Sequence, residues 1–157
     1  DLKVVRDLLM HPMLLPGFND SGAHLTNMAF YDGNLRSLKL AHENNEDSDV
    51  AYMVKRLTKD AAEVFGVSGG SIYENDKADL ILVDPSELKK YDGEKHVARV
   101  FREEFNHEQL VNRSENVVPL VIIGGHVAWE DEKFSKDLGQ EQFGELLKSK
   151  ISSNLND

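Results

Sequence analysis

The pattern of apolar and polar positions changes character near Gly66. Before it, apolar residues recur at helical spacing; after it, they come in short runs broken by turns. Residues 2–10 open as a helix with Leu2, Val5, Leu8 and Leu9 on one side. His11-Pro12 ends it, because a residue before proline is pushed out of the α region. Residues 13–18 read as a short apolar strand, and Pro16 confines that strand to an end or a bulge. Residues 19–34, rich in Gly, Asn, Asp, Ser and Thr, read as a long loop of the kind that carries function. Residues 35–42 predict a helix with Leu35, Leu38 and Leu40 apolar, and 43–49 an acidic connector. Ser48 or Asp49 then caps a helix whose Val50, Met53, Val54 and Leu57 fall on a buried stripe. Thr58 caps a second short helix over 59–65, with Ala61, Ala62, Val64 and Phe65 inside and Gly66 at its C′ position.

The second half alternates strands and turns. Ser71, Ile72 and Tyr73 predict a short strand, 74–77 a turn, and 78–83 a strong strand halted by Asp84-Pro85. Residues 97–101 predict another. Residues 117–123 and 126–129 flank Gly124-Gly125, a two-residue hairpin signal. Residues 140–151 predict an amphipathic helix with Phe143, Leu146, Leu147 and Ile151 on one face, followed by a frayed tail. The expected fold class is mixed α/β, in three parts: 1–66, 67–134 and 135–157. Asp1 leads straight into the first helix, so the chain is expected to be a fragment of something longer.

Composition narrows the functions. The chain has 157 residues, 40% hydrophobic and 29% charged, with a net charge of −10. An acidic surface repels phosphate backbones, which argues against a nucleic-acid partner. No apolar run approaches the roughly 20 residues of a membrane helix, so no membrane partner is expected. There is no cysteine, which removes disulfides, thiolate metal sites and thiol nucleophiles together and points to a reducing cytoplasm.

The segment from Leu14 to His24, LLPGFNDSGAH, carries the candidate chemistry. An apolar run ends in a carboxylate, two small residues and an imidazole, as when a buried strand delivers functional groups to the rim of an α/β fold. Asp20 there can bind a divalent cation or take the proton of an attacking water. His24 can orient or polarise a substrate carbonyl. The competing reading makes Asp20 an Asx-turn residue and His24 an ordinary surface or core histidine. The six histidines are scattered singly, with no His-x-His and no His-Glu-x-x-His, so the chain offers no clear set of three zinc ligands. Asp32-Gly33-Asn34 reads as a turn, the acidic run 43–49 as a solvated loop, Asp79 as a turn or cap group, and Trp129 as core or interface.

Four segments in order resemble one family. Asn19-Asp20-Ser21-Gly22-Ala23-His24 is similar to the SDxGAH segment after the eighth strand of amidohydrolase-superfamily barrels, closest to the N-acyl-D-amino-acid deacylase branch. Residues 54–66, VKRLTKDAAEVFG, resemble the helix that follows. Gly70-Ser71-Ile72 with 76–84, DKADLILVD, resembles the family's strand pair, and Asn112-Arg113-Ser114 with 118–129 its closing hairpin. The resemblance implies the last β/α unit of a (β/α)8 metallo-hydrolase barrel over 1–66, part of a small β-sandwich domain over 67–134, and a C-terminal helix and tail over 135–157. It also implies a divalent metal, zinc, with Asp20 as metal ligand and general base and acid, and His24 and Asn19 beside the substrate.

Asn19 stands where serine is common, and Asp76-Lys77 replaces a glycine-containing turn. The His-x-His, the bridging Lys or Glu and the later His ligands of such enzymes are missing. The activity implied is hydrolysis of a non-peptide C–N bond in a small molecule, an N-acyl-D-amino acid, by a longer parent; the isolated chain is expected to be inactive. Its partners would be the rest of that parent and, through exposed sheet edges, another copy. The alternatives are a cyclic-amide hydrolase, a β-rich interaction module without catalysis, and a small enzyme that assembles its site across a dimer.

Overall fold

Among the described residues most strands lie in the second half of the chain and most helices in the first. The computed structural model describes residues 2–17, 26–43, 47–112, 114 and 116–150. The expected mixed α/β class holds. Helix α1 spans Leu2–Leu9, α2 Gly33–His42, α3 Asp47–Lys55, α4 Ala61–Phe65 and α5 Pro85–Lys90. Strand β1 is Asn27–Met28, β2 Leu80–Leu82, β3 Val97–Arg102, β4 His107–Asn112, β5 Leu120–Ile123, β6 His126–Glu130 and β7 Lys133–Phe134.

The first sheet has the order β1-β4-β3. β1 runs parallel to β4 (Asn27 opposite Leu110), and β4 antiparallel to β3 (Val97 opposite Asn112). The second sheet has the antiparallel order β2-β5-β6-β7. Its centre is the expected hairpin. Ile123 faces His126 across Gly124 and Gly125, whose φ values of 56° and 84° suit a turn that matches strand twist. The Asp79 carboxylate accepts the Gly124 amide at 2.7 Å, so the residue read as a turn or cap group closes this turn from just before the neighbouring strand.

The core joins both halves. Leu38, Ala41, Met53, Leu88, Tyr91 and Val117 form its buried cluster, with Leu9, Met10, Leu35, Leu57, Val83 and Val118 packed around it. Met53 and Val117 are the largest fully enclosed side chains. Burial of each stabilises by about 1.5–3 kcal/mol relative to exposure. Arg6 pairs with Asp49 at 2.9 Å and ties α1 to α3. Asp84, read as the end of a strand, is also the N-cap of α5: its Oδ1 accepts the amides of Ser86 at 2.7 Å and Glu87 at 3.0 Å, with Pro85 at the first helical position.

Several sequence expectations are corrected. Residues 13–17 form no strand; the Leu14 amide turns back to the His11 carbonyl at 3.1 Å. A strand needs a neighbour for its backbone groups, and Pro12 and Pro16 carry no N–H to offer one. The loop expected to run to residue 34 ends earlier, at β1, a 3-10 turn over Ala29–Asp32 and α2. Helix α3 begins at Asp47, which places Ser48 and Asp49 inside its first turn.

Thr58 caps nothing. It lies in a π-helical turn, Arg56–Asp60, that runs straight into α4, and its hydroxyl donates to the Val54 carbonyl at 2.7 Å. Val64 and Phe65 are exposed, whereas Gly66 is the expected left-handed C′ residue. Residues 71–73 form no strand and lead into a turn over 73–76, where Asp76 accepts from the Ser71 hydroxyl and the Tyr73 amide, and Ile72 and Tyr73 are exposed.

The expected C-terminal helix is also absent: the described residues 140–150 are irregular and extended. That strap lies against the hairpin. Phe143 stacks on His126 at 4.9 Å, Lys77 pairs with Glu145 at 2.7 Å, and the Lys150 amide reaches the Gly66 carbonyl at 2.9 Å. Each of these contacts would be lost if the strap coiled on itself.

Candidate functional site

The predicted site residues Asn19, Asp20 and His24 lie outside the described residues. The structure describes what flanks them. On the C-terminal side, the Thr26 carbonyl accepts the Leu110 amide at 2.8 Å and β1 begins at the next residue. The Asn27 side chain accepts the Ala29 amide at 3.1 Å and starts the 3-10 turn. On the N-terminal side, residues 11 and 12 are held by the π turn. The Arg56 guanidinium donates to the carbonyls of His11 and Pro12 at 3.1 and 3.0 Å.

Just past that turn sits a polar cluster that the sequence reading missed. Asp32, read as a turn residue, is buried at 7% exposure. Its Oδ2 accepts from Arg36 Nε at 2.7 Å, from the Tyr91 hydroxyl at 2.9 Å and from Asn112 Nδ2 at 3.1 Å. Asn112 also donates to the Gly93 carbonyl at 2.9 Å. The cluster therefore joins the start of α2, the chain after α5 and the end of β4. Burial, then the hydrogen bond to Asp32, pushes the Tyr91 hydroxyl well above its ordinary pKa and keeps it a donor. The same carboxylate holds the Arg36 guanidinium further toward its charged form.

With three donors on one oxygen, the cluster works as a tie between layers. The Asp32-to-Arg36 spacing at a helix start was the one local signal for it; Tyr91 and Asn112 lie 59 and 80 residues away. The cleft of about 390 Å³ beside it is lined by Arg36, Lys39, Lys90 and Lys95 among others. Its lysines are matched by acids: Lys39 with Glu43 at 4.0 Å, Lys90 with Glu87 at 2.8 Å and Lys95 with Asp92 at 3.0 Å. That pairing leaves little net field to draw an anion.

A second cavity, of about 560 Å³, opens between the two sheets. Tyr31, Val118, Trp129, Phe134 and Leu138 line it. Trp129 is half-buried, donates its Nε1 hydrogen to the Val118 carbonyl at 3.1 Å, and meets Phe134 edge-on with ring centroids 4.8 Å apart. That fits the reading of Trp129 as a packing residue.

Two histidines are engaged in stacking, His96 on Tyr91 at 5.3 Å and His126 on Phe143. Among the described residues no three His, Asp or Glu side chains come together to hold a metal ion. Among the same residues no helix is long and apolar enough to cross a membrane.

The chain is similar to three uncharacterized mycobacterial proteins, one of Mycobacterium bovis and two from strains of Mycobacterium tuberculosis. Each is 33% identical over 147 residues, covering 90% of this chain. No family model matches the chain. No solved structure matches it. The chain spans about a quarter (24%) of the length of the curated relatives it matches.

Proposed function

We propose that this chain is the C-terminal portion of a longer amidohydrolase-type enzyme that hydrolyses the C–N bond of an N-acyl-D-amino acid. The observation that carries the reading is the order of four sequence segments, led by Asp20 in Asn19-Asp20-Ser21-Gly22-Ala23-His24. Two features of the fold support it. β2, one member of the expected strand pair, lies beside the β5–β6 hairpin in one sheet, and Asp79 joins them. Leu80, Ile81 and Leu82 of β2 are all exposed, an apolar strand that further chain would cover. The greater length of the relatives supports the same view.

In this reading residues 1–66 belong to the last β/α unit of a barrel, whose strand before Asp20 is not formed in the described residues 13–17 and would pair only within the longer parent, with Asp20 as general base and acid. Asp20 takes a proton from the attacking water as the new C–O bond forms at the amide carbonyl. It returns that proton to the nitrogen as the C–N bond breaks. Asn19 and His24 face the substrate. The reading calls for a divalent metal, zinc, to activate the water. The described residues do not fit that metal by themselves: they bring no three ligand side chains together.

The test is Asp20→Asn in the longer parent, assayed with a panel of N-acyl-D-amino acids. Turnover should fall by roughly 10³–10⁴-fold with the circular-dichroism spectrum and melting temperature kept. Near-normal turnover in that variant, or no hydrolysis of any panel member by the metal-loaded parent, refutes the reading.

A further inference from the structure

The strap over residues 140–150 is extended, yet its sequence has the pattern of a helix. Phe143, Leu146 and Leu147 stand at i, i+3 and i+4, the spacing of one helical face. Glu141 would fall in the first turn and Lys148 and Lys150 in the last, as the helix dipole favours. Glu145 and Lys148, three apart, would pair along that helix. The docked strap uses little of this: Leu146 is 81% exposed and Leu147 50%. A local preference that opposes the fold brings a competing arrangement closer in energy.

Three contacts hold the docked form. Phe143 stacks on His126 with ring centroids 4.9 Å apart. Glu145 pairs with Lys77 at 2.7 Å, but its side chain is 66% exposed, so salt screens the pair. The Lys150 amide donates to the Gly66 carbonyl at 2.9 Å. A cleft of about 460 Å³ lies among Lys77, Ala78, Gly124, Phe143 and Glu145, so the strap is not sealed to the hairpin. Two glycines set the balance. Gly139, with φ +83° and open space where a Cβ would stand, lets the chain pivot just before the strap. Gly144 lets the strap run close by Ile123 and weakens a helix at its centre; a Cβ added there would stand 3.3 Å from Ile123 Cγ2.

We propose that residues 140–150 are a two-state latch: an extended strap docked on the Gly124 hairpin, which releases by pivoting at Gly139 into an amphipathic helix. Release frees the His126 ring and the hairpin turn. It hands Glu145 from Lys77 to Lys148, and it gathers Phe143, Leu146 and Leu147 on one face. The switch goes beyond the hydrolase reading and does not depend on it.

The experiment follows the 157-residue chain by NMR, reading amide exchange at Lys150 and Cα chemical shifts over 140–150. Lys77→Glu sets like charges against each other and leaves the strap's own sequence intact. It should speed Lys150 exchange about threefold or more and move the shifts toward helical values. The movement is partial, because a helix of about 11 residues is marginal alone. Adding Glu145→Lys to Lys77→Glu swaps the charges and should restore exchange to within about twofold of the wild type. Gly144→Ala acts from the strap itself, raising the preference for helix by roughly two- to fivefold, and serves if Lys77→Glu does not fold. It should produce the same two changes. Unchanged Lys150 exchange in either variant, or no recovery in the charge swap, overturns the proposal. Faster exchange with the shifts left at coil values overturns it too, since a strap that frays without coiling is no switch.

Discussion

The Tyr91 hydroxyl donates to the Asp32 carboxylate at 2.9 Å across 59 residues of chain, in the interior. This contact makes stability depend on alkaline pH. The folded state holds the phenol proton more tightly than the unfolded chain does, chiefly through burial. The contribution is therefore complete below the unfolded tyrosine pKa of about 10 and is lost as pH rises above it. Urea denaturation at pH 9 and pH 11 should show a steeper loss for the wild type than for Tyr91→Phe. Equal losses would refute the contact. At pH 7, Tyr91→Phe should cost about 1 kcal/mol.

Gly93 packs on the same carboxylate. A Cβ there would stand 2.1 Å from Asp32 Oδ2 and 2.5 Å from Arg36 Nη2. Arg36 can swing away, but Asp32 is held by three donors. Gly93→Ala should destabilise by about 2–3 kcal/mol. Gly33 is the control: it starts α2 with φ −53°, and a Cβ there meets nothing within 4 Å. Gly33→Ala should stabilise by about 0.5–1 kcal/mol. Denaturation midpoints of the two variants check both signs.

The hairpin glycines differ in a measurable way. Both have positive φ, yet a Cβ on Gly124 would fall 2.1 Å from the Phe143 carbonyl oxygen, while one on Gly125 meets open space. Gly125→Ala should cost only backbone strain, about 1 kcal/mol. Gly124→Ala should cost about 2 kcal/mol or more and also loosen the strap over 140–150. Amide exchange at Lys150, bonded to the Gly66 carbonyl, reports that loosening directly.

Metal content separates this chain from its proposed parent. The described residues bring no three ligand side chains together, so the isolated chain should hold far less than one zinc per molecule after dialysis. The longer protein should hold zinc stoichiometrically and lose its activity to a chelator. Tight stoichiometric zinc on the isolated chain would contradict the reading.

The elements legible in the sequence are those whose signals are local. α2 is found over nearly its whole span, the Gly124-Gly125 hairpin at its turn, and Gly66 at its left-handed φ of 64°. Asp79, read as a turn or cap group, is found accepting the Gly124 amide of the hairpin turn. β4 is missed because Gln109, a polar residue, occupies a buried position and breaks the apolar alternation. Residues 13–17 and 71–73 have the composition of strands, but among the described residues they have no neighbouring strand. The strap over 140–150 has helical spacing, yet its Phe143 and Glu145 find partners on His126 and Lys77 that a helix would forgo. Asp32 is legible as a carboxylate and illegible as a hub, because its partners come from two distant elements. The site residues Asn19, Asp20 and His24 rest on the sequence alone.

The parallel pairing of β1 with β4 also dictates a timetable. Asn27 has its partner at Leu110, and Asp32 its last donor at Asn112. Synthesis from the N-terminus delivers α2 long before either. In the interval, the nascent helices present Leu38 and Met53 to water, and the carboxylate has first Arg36 alone and then Tyr91 beside it. Closing so wide a loop is slow. Ribosomes stalled before Asn112 and Val117 have emerged should therefore carry an aggregation-prone, chaperone-dependent intermediate, and release beyond them should trigger assembly in one cooperative step.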